Sequence, residues 1–362
     1  MTDARVEFGR LLREHREAAG LTQARLGRLV GHHHSLISKV EHGLRWSSLE
    51  AAHRNVARGG DACPDSIREF DLLLTAYERF DDTLGGAGIV EALESHLRLL
   101  MGWLSTSSPH QTEVLRLAGR YGYRAGWARF ENGQRDLAMT WFGRALGWAK
   151  GADDHGLAAD PQTRIGVVAR AAGDQVRALG YARAAHETGA GRPWTGFLAA
   201  ILEARAFAGL GERGRCANRL ALAANLAGRT DPADAPWLAR PYGVAMLQSI
   251  RAACYRDLAA HGHRALADHA VDAARDAFER TPAEMWPNRA LFAARLADAH
   301  AYAGEPDAAA QAVEATLAVP PSSRNSLVRG ELRGLRHRLL ATWGRDPEVR
   351  ELAHRLSTPD TR

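Results

Sequence analysis

Two short runs in this 362-residue sequence put chemically capable side chains side by side. His32, His33 and His34 are consecutive imidazoles, and Asp153-Asp154-His155 joins two carboxylates to one more. Adjacent residues in a turn point in different directions, and no cysteine or carboxylate stands close to the histidine triplet, so no metal centre is expected there. The acidic run lies at a helix end, where such groups usually solvate a loop. Cys63, Cys216 and Cys254 are far apart and form no C-x-x-C pair, which supports neither a disulfide frame nor a zinc ribbon. No G-x-S-x-G, Walker loop, H-E-x-x-H or Gly-rich dinucleotide fingerprint is found. Neither an enzyme nor a cofactor is expected.

Charge is more informative than these runs. The formal net charge is +5, and lysine occurs only at Lys39 and Lys150. Arginine abundance therefore partly reflects codon bias. Residues 1–58 hold ten basic groups against six acidic ones, together with six histidines, so most of the net charge lies at one end. A module that binds phosphates has this distribution. No apolar run reaches the roughly 18 residues of a membrane span, and MTDARVEFGR lacks a signal-peptide stretch. A cytoplasmic protein with no membrane partner is expected.

The elements that would position this charge are short helices. Residues 5–19 read as an amphipathic helix ended by Gly20. Thr22 is a suitable N-cap for a helix from Gln23 to Val30. Gly31 provides a tight turn, and a second helix runs from about His33 to His42, stopped by Gly43. Leu26, Val30, Ile37 and Val40 supply one core, and the small Gly27 lies where the two helices must cross closely. Such a pair is pinned at a steep angle with its second helix projected outward.

On Gly20-Leu21-Thr22-Gln23, Leu26, Gly31, Ile37-Ser38-Lys39 and Glu41-x-Gly43, the segment 5–58 resembles the phage-repressor type of helix-turn-helix, the XRE family. The resemblance implies that Gln23 anchors a backbone phosphate. It places His34, Ser35 and Lys39 against base edges, with His33 at the helix start and Ser38 and Arg45 beside them. Lys39 would then donate to guanine O6 and N7. A phosphate contact, or none, is the plainer alternative for each. Arg16 and Glu41 match an ion pair that ties the first helix to the recognition helix in relatives. The segment departs from the family at His32, at His33, and at Trp46-Ser47-Ser48, and a fourth helix, expected from Leu49 to Ala57, matches it less closely.

Residues 64–80 begin with proline and carry Ile67, Phe70, Leu73, Leu74 and Tyr77 at helical spacing, a fifth helix. DDTLGGAG reads as a flexible break. The amphipathic helix 89–104 after it would pack on a partner subunit or on its own chain. Further on, Gly133, Gly173, Gly211, Gly262, Gly304 and Gly344 follow one another at intervals of 40, 38, 51, 42 and 40 residues. Each lies between two helical stretches, which predicts five to six helical hairpins, with a Pro-rich insertion at 229–243 in the long interval. Each unit resembles a tetratricopeptide repeat, best in Gly126-Trp127, Gly133-x-x-Asp136-x-Ala138, Phe142 and Ala145.

The expected fold is thus all-α, a helix-turn-helix domain followed by a TPR-like solenoid. The expected domains are 1–80 (helix-turn-helix), 81–110 (a linker with one amphipathic helix) and 111–358 (helical repeats). The layout resembles actinobacterial XRE-type regulators with a C-terminal tetratricopeptide-like domain. More distantly, and in layout alone, it is similar to peptide-binding quorum-sensing regulators of Gram-positive bacteria. The resemblance implies a regulator of transcription, a homodimer on double-stranded DNA with an inverted-repeat operator, and a small-molecule or peptide effector in the repeats. An interaction scaffold and a repressor without effector are the alternatives. The first helices of the hairpins offer Arg124, Trp127, Arg164, Arg205, Arg251, Tyr255 and Arg295 as effector-binding candidates. Core packing for the aromatics and a solvated face for the arginines are the plainer readings.

Overall fold

A computed structural model describes residues 9–10, 12–14, 16–17, 21–29, 34–42, 60–84, 86–106, 108–189, 191–239, 241–319 and 324–357. The expected helix over 49–57, the turn at Gly31 and the stop at Gly43 lie outside them, as do His33 and Arg45. The fold class is the expected one: all-α, a helix-turn-helix followed by helical repeats. The chain divides into two compact units, Met1–Pro161 and Gln162–Arg362.

In the first unit, the described residues between 9 and 17 are helical. They precede α1 (Gln23–Leu29) and α2 (His34–Glu41). Thr22 caps α1, its Oγ1 accepting from the backbone N–H of Arg25 at 3.1 Å. Leu12, Leu26 and Ile37 are buried together, with Leu21 and Val40 packed against them. The next helices are α3 (Pro64–Leu84), α4 (Val90–Leu104), α5 (Gln111–Glu131) and α6 (Arg135–Gly151). A single 3-10 turn, Gly86–Gly88, bridges α3 and α4.

The apolar face of α4 is filled from within this chain. Trp103 lies 5.3 Å, centroid to centroid, from Phe70 of α3, and His96 lies 5.8 Å from Tyr121 of α5. Tyr121 donates to the Phe70 carbonyl at 2.8 Å, which satisfies its hydroxyl in a dry core. Rim ion pairs add to the packing. Arg124 meets Glu78 at 3.2 Å, Arg120 meets Asp71, and Arg129 holds Glu94 through two bonds of 2.7 Å.

Helical hairpins make up the rest of the chain. The helix α7 (His155–Ala171) starts after Asp154, which accepts from the Leu157 amide at 3.0 Å. This capping is what the Asp153-Asp154-His155 run provides. Then follow α8 (Gln175–Thr188), α9 (Pro193–Gly209) and α10 (Arg213–Arg229). The Pro-rich insertion contains one short helix, α11 (Pro236–Ala239). The last six are α12 (Pro241–Ala260), α13 (Leu266–Arg280), α14 (Trp286–Ala303), α15 (Pro306–Leu317), α16 (Ser326–Trp343) and α17 (Pro347–Arg355).

Five of the six repeat glycines take φ between 75° and 95°, at Gly133, Gly173, Gly211, Gly262 and Gly304. Left-handed backbone ends the first helix of each hairpin, and glycine adopts it without a Cβ penalty. The exception is Gly344, with φ −63°.

First and second helices of the hairpins differ in burial, and composition explains why. Every residue from Thr195 to Ala208 of α9 is buried, as is every residue from Ala290 to Ala301 of α14. Such helices are apolar nearly all round because neighbours cover them on several sides. The second helices bury a single stripe, Ala178, Ala182 and Ala185 on α8 and Cys216, Leu220 and Ala223 on α10. Within the second unit α9 packs on α12, α12 on α14 and α14 on α16, so first helices form one continuous layer.

Candidate nucleic-acid interface and a buried arginine cluster

In the first unit, a buried carboxylate organises the helix-turn-helix. The Glu41 side chain, at the end of α2, is fully shielded. Arg16 donates to it through Nε at 2.5 Å and Nη2 at 3.0 Å, and Gln23 donates through Nε2 at 2.8 Å. Arg13 adds its charge at 3.6 Å. Arg16 spends its remaining nitrogen on the Leu21 carbonyl at 2.8 Å. Burial pushes the Glu41 carboxyl up, but the bonds from Arg16 and Gln23 and the nearby arginine charges outweigh it and hold it below the usual range. One group thus ties together the N-terminal helix, α1 and α2. The ion pair implied by the family resemblance is present and buried.

The backbone at the end of α2 makes a second close contact. A Cβ on Gly9 would lie 2.6 Å from the Val40 carbonyl oxygen and 2.8 Å from that of Glu41. Only glycine lets the N-terminal helix approach the end of α2 so tightly, a constraint that the sequence reading missed. Gly27, which it singled out, is buried.

Fixed from behind in this way, α2 presents His34, Ser35 and Lys39 exposed and Ser38 half-buried, while Ile37 is buried in the core. His34 and Ser38, and Ser35 and Lys39, are four positions apart, and Ser35 and Ser38 three, so they share one broad helix face. The candidates on the described part of α2 are therefore brought together on an outward surface. Gln23 on α1 spends one amide N–H on Glu41, and an amide carries a second N–H.

Residues 7–57 match the helix-turn-helix domain family. No curated protein matches the chain. Among solved structures, the chain is similar to Bacillus thuringiensis PlcR in complex with the peptide PapR7 and DNA. The identity is 13% and the TM-score 0.40, over 76% of this chain and 94% of that one. It is also similar to a circular tandem repeat protein with novel repeat topology, at 13% identity and a TM-score of 0.25, over 98% of this chain and 95% of that one. At these scores neither structure transfers a residue role. Among the described residues, α1 and α2 lie within the ranges expected for the two short helices.

The effector-binding candidates fall into different settings. Arg124 and Trp127 belong to the first unit, where Arg124 pairs with Glu78 and Trp127 lies 5.5 Å from Phe130. The others belong to the second unit. Arg164 is half-buried on α7, Arg251 donates to Gln248 at 3.3 Å, and Tyr255 stacks edge-on to His269 at 6.0 Å. Arg205 and Arg295 are only 5% and 9% exposed, so the solvated-face reading fails for both.

Arg205 and Arg295 belong to a buried network on the layer of first helices. Arg256 of α12 is its hub and touches all three carboxylates: Asp257 at 2.8 Å, Asp298 of α14 at 3.0 Å, and Glu331 of α16. Each carboxylate is shared with a second arginine. Asp257 also takes Arg205 at 2.8 Å, Glu331 takes Arg295 at 2.9 Å, and Asp298 takes Arg338 at 2.8 Å. Arg295 further donates to Ser249 Oγ at 2.7 Å, and the Arg338 guanidinium lies 3.5 Å from the Tyr302 ring centroid. Burial pushes Glu331 up, yet the charges of Arg256, Arg295 and Arg205 overwhelm it and hold it far below the usual carboxylate range.

The sequence reading missed Arg256, Arg338 and the three carboxylates, although a signal was there. Arg205, Arg256, Asp298 and Arg338 each stand six residues before a repeat glycine. Stacked repeats place equivalent positions in a row, so aligning the units on their glycines would have lined up this ladder.

Proposed function

We propose that the protein is a sequence-specific DNA-binding regulator of transcription that acts by binding rather than by catalysis. The observation that carries this reading is the exposed face of His34, Ser35, Ser38 and Lys39 on α2, held rigid from behind by the buried Arg16–Glu41 pair. A helix of this kind enters the major groove and offers donors to base edges, Lys39 to guanine O6 and N7. Gln23 keeps α1 joined to Glu41 while its second amide N–H reaches a backbone phosphate. Phosphate contacts set register, and the α2 residues set sequence.

The protein binds as a homodimer of the XRE type, with two recognition helices in successive major grooves about 34 Å apart. Its operator is therefore an inverted repeat. The repeats bind a small effector that favours one arrangement of the two heads, since a ligand shifts states only by its differential affinity. Selection of bound DNA from a random library with the full-length protein tests this reading. Enrichment of an inverted repeat with half-sites about one helical turn apart is the expected result. A folded protein that enriches no sequence would overturn it.

A further inference from the structure

His42 follows α2 directly and is exposed, and its two ring nitrogens face partners of fixed character. Its Nδ1 lies 2.7 Å from the Ser38 carbonyl oxygen, and its Nε2 lies 3.1 Å from Nη2 of Arg13 on the N-terminal helix. A carbonyl oxygen only accepts, so Nδ1 carries the hydrogen. A guanidinium only donates, so Nε2 offers its lone pair. The two contacts together admit one form of the ring, the neutral Nδ1–H tautomer. A proton on Nε2 would turn a second N–H toward Arg13 and set two cations against each other, unless an anion accepted from both.

Arg13 is held for such an anion. Its Nε lies 3.6 Å from the shielded Glu41 carboxylate, while 42% of its own side chain is open to solvent. Its contacts with Glu41 and His42 leave further N–H donors of the guanidinium fork facing outward. Among the described residues, Arg13 and Glu41 are the charged groups beside His42, with the exposed Lys39 one turn before it on α2. Arg16 is spent on Glu41, and α1 places no charged group in contact with the ring. A helix about 10–12 Å across fills a major groove about 12 Å wide. Residues that flank the base-reading face therefore meet the phosphate walls of the groove, and Arg13 and His42 converge there from two different helices. A phosphate oxygen offers only lone pairs. Beside neutral His42 it finds donors on the Arg13 side and another lone pair on the ring side. A proton on Nε2 converts that mismatch into two charge-assisted bonds.

We propose that Arg13 and His42 form a clamp for one phosphate of the DNA backbone, and that His42 takes up a proton as the phosphate enters. The inference rests on the reading of α2 as the recognition helix and adds a proton-linked contact at its end. One proton from solvent joins His42 Nε2, the bond from Arg13 Nη2 to that nitrogen opens, and both groups then donate to phosphate oxygens. Binding of DNA thereby tightens as pH falls through the range in which imidazole changes charge, between about pH 8 and about pH 5. The pair is exposed, so the proton is felt in DNA binding rather than in the stability of the free protein.

The test uses the full-length protein and a labelled random-sequence duplex of about 20 base pairs, because a phosphate contact needs no operator. Affinity is measured over a salt series at about pH 8 and at about pH 6, on either side of the imidazole titration. Each phosphate contact adds about 0.9 to the steepness of log K against log salt. The wild-type dependence is expected to be steeper by about one at the lower pH. His42→Gln is expected to remove that difference. Arg13→Gln is expected to reduce the steepness by about one at both pH values, and Arg13→Lys to retain it. Melts of each variant check that the fold is kept. If the wild-type dependence is the same at both pH values, or if His42→Gln keeps the difference, the clamp is wrong while the DNA-binding reading stands. If the wild type binds the duplex at neither pH, the DNA-binding reading itself fails and the clamp falls with it.

Discussion

Two buried charge networks organise this molecule. Around Glu41, one carboxylate is met by Arg16, Gln23 and the outer charge of Arg13, and Arg16 finds further acceptors in Leu21 and Glu17. Every group there is answered, and of the residues offered for DNA recognition Gln23 belongs to the network, while the side chains of His34, Ser35 and Lys39 on α2 are exposed to solvent. Around Arg256 the balance is different. Three carboxylates are shared among four arginines, and the effector-binding candidates Arg205 and Arg295 are themselves members of the network. In the first region, fold and recognition are separable on α2 and overlap only at Gln23 and Arg13. In the second they are merged, because the charge that would hold a ligand is also charge that the fold must tolerate.

The sharpest way to break this comparison is to strip the hub of each network. Glu41→Ala strands the buried Arg16 and is expected to cost the helix-turn-helix roughly 3–5 kcal/mol, read by denaturant melts of the full chain. Arg256→Met leaves each carboxylate one arginine, so a loss nearer about 3 kcal/mol is expected. Equal or smaller loss at Glu41 would contradict the view that its network has no redundancy. Gly9→Ala, with backbone carbonyls in the way, is expected to cost about 1–3 kcal/mol in the same melts.

Recognition residues should behave differently. Lys39→Ala and Ser35→Ala are expected to weaken operator binding by about 1–3 kcal/mol while leaving the melt unchanged, since both side chains are exposed. An equal loss on random DNA would make them phosphate contacts. A fall in stability would show that the α2 face is not separable from the fold after all.

Acid gives the smallest and most graded test. Glu41 has a folded pKa held below its unfolded value, so its contribution to stability is fully present above the ordinary glutamate pKa of about 4.3 and is lost as pH falls through the lowered folded value. Glu331 follows the same sign in the second unit. A pH series of melts should therefore decline only below that range. A decline beginning near pH 6 would point to other groups.

Much of this could be read in the sequence, for a physical reason. Helix periodicity, caps and turn glycines are local. Thr22 at a helix start and Gly133, Gly173, Gly211, Gly262 and Gly304 at hairpin turns announce themselves because backbone conformation depends on the residue at the position. Approaches between distant segments carry no such mark. Gly9 was not distinguished from any other helical glycine until the end of α2 was laid against it. Arg256 read as one of many arginines until the layer of first helices set it against Asp298 and Glu331.

The sequence by itself determined that the chain is helical, where the hairpins turn, and that a helix-turn-helix with a donor-rich second helix stands at one end. Those properties follow from neighbouring residues and their period. Only the tertiary structure decided which charges are buried and which carboxylates they share, and so whether the sum is zero. Burial and Coulomb energy depend on distances between residues such as Arg256 and Glu331, which are 75 positions apart in the chain, and the pattern along a helix does not encode them.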